Sequence, residues 1–154
     1  MSGEDNLLEL VEAEEAEDGH DYLLQEQVGF ILRKAHQRHV SIFAARIADL
    51  TPPQFAALAK LHDVGETSQN QLGTLIAMDA ATVKGVIDRL KARGLVKLSR
   101  HEVDKRRLLV NLTAEGREAI ERLIPLAREI TQETLAPLTA KEAATFMKLL
   151  AKLA

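Results

Sequence analysis

The stretch SQNQLGTLIAMDAATVKGVIDRLKARGLVKLSRHEVDKRRLLVNLT, Ser68 to Thr113, decides the fold. Ser68 followed by Gln71 reads as a capping box, in which two side chains satisfy the free amides of a helix start. It opens a short helix over about 69–76, with Leu72, Leu75 and Ile76 expected inward. Asp79 is a second N-cap, and the helix it starts, about 80–93, carries Val83, Val86, Ile87 and Leu90 on one face. Gly94 can take the left-handed conformation that stops a helix. Leu95 to Ser99 and Leu108 to Leu112 then alternate apolar and polar residues around the charged loop Arg100–Arg107. That pattern is a β-hairpin. Two short helices joined tightly at Ala77-Met78-Asp79, followed by a hairpin with a basic loop, make a winged helix-turn-helix.

Outward from this unit the chain is helical. Tyr22 to Leu50 has no Pro and repeats apolar residues near a 3.6 period, through Leu24, Val28, Ile31, Leu32, Ala35, Ile42, Phe43 and Ile47. Thr51 and Pro52 end it and begin a helix over about 53–63, as N-cap and first helical residue. Thr113 caps a long helix over about 114–136, which Pro125 should bend. Thr139 with Glu142 is another capping box, starting a last helix to about Leu153. The expected class is therefore mainly α with a small β-hairpin wing. A candidate DNA-binding lobe at 51–113 is expected between long helices at 21–50 and 114–154.

Composition agrees with a mainly helical chain. The chain has 154 residues, 46% apolar and only 3% aromatic, so its core is built from Leu, Ala, Ile and Val. With no Cys, thiolate metal sites and disulfides are excluded. No membrane-spanning run or basic-then-apolar leader is present, and a cytoplasmic protein is expected. There is no Gly-rich phosphate loop, cysteine nucleophile or His-Glu metal signature, so neither catalysis nor a cofactor is expected.

The net charge of −3 hides a segregation. Residues 1–20 hold eight acids and no Lys or Arg, so 15 acids face 20 bases in the remainder. This tail is expected to be solvent-facing chain; the sharper reading is a competitor that shields the basic lobe when DNA is absent. Residues 84–107 are densely basic and suggest a polyanion partner.

On this scaffold the candidate DNA contacts are Ser68 and Gln69 at the first short helix, and Ala80, Thr82, Lys84 and Arg89 on the outward face of the second. Small residues let the helix end approach base edges, Thr82 can hydrogen-bond or touch a thymine methyl, and Lys84 or Arg89 can reach guanine or phosphate. On the loop, Lys105, Arg106 and Arg107 suit the narrow minor groove. Asp104 is expected to hold a neighbouring Arg extended through a salt bridge.

The runs Met78-Asp79-Ala80-Ala81-Thr82-Val83, Ile87-Asp88-Arg89-Leu90, Arg93-Gly94-Leu95-Val96, Asp104-Lys105-Arg106-Arg107 and Val110-Asn111-Leu112-Thr113-Ala114-Glu115-Gly116 resemble the MarR family. Leu50-Thr51-Pro52 and Gln54-Phe55 fit its second helix, and the likeness spans about residues 21–152. The resemblance implies a triangular homodimer on a pseudopalindromic DNA operator, with 21–50 and 114–154 as dimerisation helices and Asp104 and Arg106 matching the wing Asp-x-Arg. Val28 to Arg38 and Ser41-Ile42-Phe43 further resemble the branch that controls aromatic-acid catabolism. That likeness implies a free aromatic acid or a hydroxycinnamoyl-CoA thioester as effector, and release of a repressor from DNA.

The candidate effector residues are Arg33, His36, Arg38, His39, Phe43 and His62, around the first, second and 114–136 helices. Arg33 and Arg38, with Lys34 and Arg46, can meet a carboxylate or CoA phosphates, or be a solvated face. Phe43 suits a core position or a pocket wall. His36 and His39 share a helix face, but without Cys or a carboxylate companion they are read as pocket or interface residues, not metal ligands. Two other readings stay open: a DNA binder without effector, and a regulator whose signal is a protein partner.

Overall fold

The structure, a computed structural model, describes residues 21–154; the acidic tail at 1–20, with the roles expected of it, lies outside the described residues. The chain divides into two compact units at the His36–Gln37 boundary, and each is described by itself.

In the first unit, residues 21–36, a 3₁₀ turn at Leu24–Glu26 precedes α1, Val28–Arg46, whose first turns belong here. The helix expected from Tyr22 therefore begins later. Gln27 sits in extended backbone, φ −81° and ψ 135°, and separates the turn from the helix. Tyr22, Leu24, Val28, Ile31 and Leu32 are exposed. Phe30 lies beneath two cations, with the Arg33 guanidinium 5.5 Å from the ring centroid and the Lys34 ammonium 5.6 Å.

The second unit, residues 37–154, holds the core. Its elements after α1 are α2 (Pro52–Val64), β1 (Thr67–Ser68), α3 (Gln69–Leu75), α4 (Ala80–Ala92), β2 (Val96–Arg100), β3 (Leu108–Leu112), α5 (Ala114–Leu135) and α6 (Ala140–Leu153). α1 ends at Arg46 rather than near Leu50. Thr51 and Gln54 close a full capping box at α2, and Thr139 and Glu142 another at α6. At α3 the Ser68 hydroxyl accepts from the Gln71 amide at 3.1 Å. Pro125 lies inside one continuous α5.

The hairpin pairs Val96 with Leu112 through Arg100 with Leu108. A third strand, β1, pairs antiparallel with β3, placing Ser68 opposite Leu109. No periodicity announces a strand of two residues, and the hairpin reading had no place for it. Leu58, Leu61, Leu72, Val83, Ile87, Leu90, Val110 and Ile120 fill the centre, each at most 1% exposed. Leu75, expected inward, is 40% exposed, because the short α3 buries only Leu72 and Gly73.

Two joints fix the lobe. The α3–α4 connection ends α3 with Ala77 in the left-handed region at φ 55°, and the Met78 amide returns to the Gly73 carbonyl at 2.8 Å. At the other joint, Gly94 stops α4 at φ 74°. The Thr113 amide then donates to the Leu95 carbonyl at 3.1 Å and its hydroxyl to the Gly94 carbonyl at 2.6 Å. The same hydroxyl accepts from the Gly116 amide at 3.0 Å, so one threonine joins the end of α4 to the start of α5.

Candidate nucleic-acid interface

α4 buries Val83, Val86, Ile87 and Leu90, which leaves Ala80, Thr82, Lys84 and Arg89 exposed on the opposite face. The amphipathic pattern alone dictates this division. Asp79 caps the helix by accepting from the Thr82 amide at 2.7 Å. That amide, and then the Thr82 hydroxyl, hold the Asp79 carboxyl below the usual carboxylate range. The start of α4 is thereby fixed with Ala80 and Ala81 outermost. Lys84 donates to Asp88 at 2.7 Å, one turn along the same face. Asp88 thus pairs with Lys84, and Arg89 stands beside that pair in solvent. Both partners of the pair are more than half exposed, so it holds Lys84 only weakly.

The wing supplies the second cationic surface. Lys105, Arg106 and Arg107 are all exposed. Ser68, Gln69 and Asn70 share a groove of about 420 Å³ with Arg106, Arg107 and Leu108, so the start of α3 and the base of the wing converge. Ser68 itself is 8% exposed, with its hydroxyl engaged in the α3 cap. Asp104 corrects an expectation. Its carboxylate accepts from the Arg106 backbone amide at 3.1 Å and shapes the turn, instead of pairing with a guanidinium. An aspartate two residues before an amide makes this local turn without spending a cation. Arg100 lies across the loop and donates to the Lys105 carbonyl at 2.9 Å.

The residues expected at an effector site are distributed differently. In the second unit, Arg38 reaches the end of α5 and donates to the carbonyls of Thr134 at 2.7 Å and Glu133 at 2.9 Å. His39 Nδ1 lies 2.9 Å from the Thr134 hydroxyl. His62 Nε2 is 3.3 Å from Glu121 of α5. Phe43 is 5% exposed and packs edge-to-face on Phe55, with centroids 6.0 Å apart, as a core side chain. Arg46, expected on a solvated face or against a ligand, instead bridges Glu129 at 2.5 Å and Glu133 at 2.9 Å. Arg33 and His36 belong to the first unit and are exposed on α1. Among the described residues no cluster of three His, Cys, Asp or Glu is placed to hold a metal ion. No helix among them is long and apolar enough to cross a membrane.

The MarR family model matches residues 50–108, the lobe that carries both surfaces. The HTH-type transcriptional repressor NicR of Pseudomonas putida is 42% identical over 138 residues, covering 88% of this chain and 87% of that protein. The chain belongs to the MarR family. This MarR-family protein is therefore a DNA-binding transcription regulator with the winged-helix fold. Among solved structures it is similar to Bordetella bronchiseptica BpsR, whose DNA binding is regulated by 6-hydroxynicotinic acid. That match has 44% identity and a TM-score of 0.82, over 86% of this chain and 96% of the other. Streptomyces coelicolor PcaV, solved in complex with its natural ligand, matches at 32% identity and a TM-score of 0.81, over 85% and 94%.

Proposed function

We propose that this MarR-family regulator is a homodimeric repressor that an aromatic carboxylic acid, or its CoA thioester, releases from a pseudopalindromic operator. In this reading Ala80, Thr82, Lys84 and Arg89 of α4 read the major groove. Arg106, flanked by Lys105 and Arg107, enters the minor groove, and Ser68 and Gln69 sit against the backbone between them. Asp104 serves the wing as a turn-former.

The dimer is supported by α6, which has no buried residue in the single chain. Phe146, Leu149 and Leu153 fall at helical spacing on one stripe and are 41%, 55% and 72% exposed. An apolar stripe on a helix is stabilised only when something covers it. A second copy is the occupant that the symmetric operator reading requires.

The effector reading rests on one observation above all: BpsR, 44% identical over nearly its whole length, has its DNA binding regulated by 6-hydroxynicotinic acid. Arg38 against α5 offers the cation such an acid needs, and His39 and His62 offer further hydrogen-bonding groups. To empty the operator, the acid must bind the released conformation more tightly by a few kcal/mol.

The test uses operator duplexes selected by the protein from random DNA and followed by fluorescence anisotropy. Titrating 6-hydroxynicotinic acid, benzoic acids and a hydroxycinnamoyl-CoA should displace the protein with at least one of them. DNA binding indifferent to every one would end the effector claim and leave a ligand-independent regulator. Arg38, His39 and His62 are substituted in the same titration, and Arg33 and His36 separately.

A further inference from the structure

The wing loop between β2 and β3 closes around one side chain that the sequence reading passed over. The His101 amide donates to the Arg107 carbonyl at 3.0 Å and ties the base of the loop. Its ring turns back inside, where Nδ1 accepts from the amides of Val103 at 3.2 Å and Asp104 at 3.1 Å. Asp104 passes the order on. Its carboxylate takes the Arg106 amide at 3.1 Å, and its carbonyl takes the Arg107 amide at 3.0 Å. A ring nitrogen receiving two N–H groups presents a lone pair and carries no proton, so the proton belongs on Nε2.

We infer that His101 is the positioning residue of the wing: as a neutral acceptor for the Val103 and Asp104 amides, it shapes the loop that presents Arg106 and Arg107 to DNA. The inference rests on the proposed role of the wing. It runs against the simplest view of a histidine beside DNA, which is a cation for phosphate. The groove that His101 lines is lined also by Glu66, Arg100, Glu102 and Arg107, so acids and bases share it.

The energetics single out binding rather than folding. Val103 and Asp104 are exposed, so amides deprived of the ring are taken up by water and the fold loses little. The freed loop, however, samples more conformations, and that freedom must be given up on DNA.

Three substitutions separate the possible roles. His101→Asn keeps a short side-chain acceptor that can bond an amide two residues on. His101→Phe keeps the ring and loses the acceptor, and His101→Lys adds charge without one. Against the selected operator, Asn should bind within about twofold of the parent. Phe and Lys should both weaken binding about tenfold, the cost of re-ordering about one freed loop residue on DNA. Thermal midpoints should move by no more than about 2 °C, since these are exposed bonds. If Lys binds as well as the parent or better while Asn falls with Phe, the ring is a cationic contact and the inference is overturned. Parent-like binding by all three overturns it too. Arg106→Ala is measured alongside. If that variant keeps full affinity and salt dependence, the wing reading itself has failed; if it weakens while His101→Phe does not, only the role of His101 has.

Discussion

Gly116→Ala probes the joint on which the wing hangs. A Cβ at Gly116 would lie well inside contact distance of the Leu95 carbonyl oxygen, 2.9 Å from its carbonyl carbon and 3.3 Å from its Cα. These are backbone atoms at the end of α4 and cannot rotate away. The carbonyl they belong to also receives the Thr113 amide, and Thr113 caps α5 through the Gly116 amide. Relieving the clash therefore separates α5 from α4 and strains both bonds. Overpacking of this kind costs about 1–3 kcal/mol, and losing the cap adds about 1 kcal/mol. A total near 3 kcal/mol corresponds to a fall of about 6–12 °C in thermal midpoint for a chain of this size. Circular dichroism melts at one fixed protein concentration measure it, since a dimer's midpoint shifts with concentration. Gly85→Ala is the control, because nothing lies within 4 Å of a Cβ there and α4 should gain about 0.5–1 kcal/mol. A Gly116→Ala protein melting within about 1 °C of the parent would refute the close-approach reasoning.

Other substitutions test other parts of the account. Asp88→Asn frees Lys84 from its partner and removes a negative charge from the helix proposed to face DNA. DNA binding should tighten severalfold with a steeper salt dependence, and unchanged binding would mean Lys84 does not meet DNA. The Asp79 carboxyl is held below its ordinary range, so its contribution is complete above the unfolded value, about 3.9, and is lost as pH falls through the lower folded value. Asp79→Asn keeps a good cap without a titrating group, and should flatten the stability–pH curve below about pH 4; an unaltered curve would assign that acid sensitivity elsewhere. Leu149→Glu puts a charge into the exposed stripe of α6. Sedimentation should show loss of the dimer with α-helix content retained, whereas an intact dimer would remove α6 from the interface.

Much of the lobe was legible because its residues obey strong local rules. Ser68, Asp79, Thr113 and Thr139 each cap the helix expected of them, and Gly94 takes the positive φ expected of a helix stop. The apolar face of α4 is buried as its period dictates. What was hidden depends on contacts distant in sequence or on detail below any periodicity. β1 exists only because Thr67 and Ser68 meet Val110 and Leu109. The start of α1 moved because Gln27 is extended, which no side-chain pattern marks. Arg38 and Arg46 read as free cations, yet they contact α5 residues some ninety positions away. Asp104 and His101 serve the wing by bonding backbone amides, roles that a charge-based reading of a basic loop does not suggest.

Hydroxyl-radical footprinting of the selected operator tests the central claim most directly. If α4 and the wing of each copy engage DNA as proposed, the parent should protect two segments centred about one helical turn, 10–10.5 bp, or a multiple of it apart, each flanked by minor-groove protection. Arg106→Ala should lose the flanks and keep the centres. A single unsymmetrical protected patch, or flanks that persist without Arg106, would contradict it.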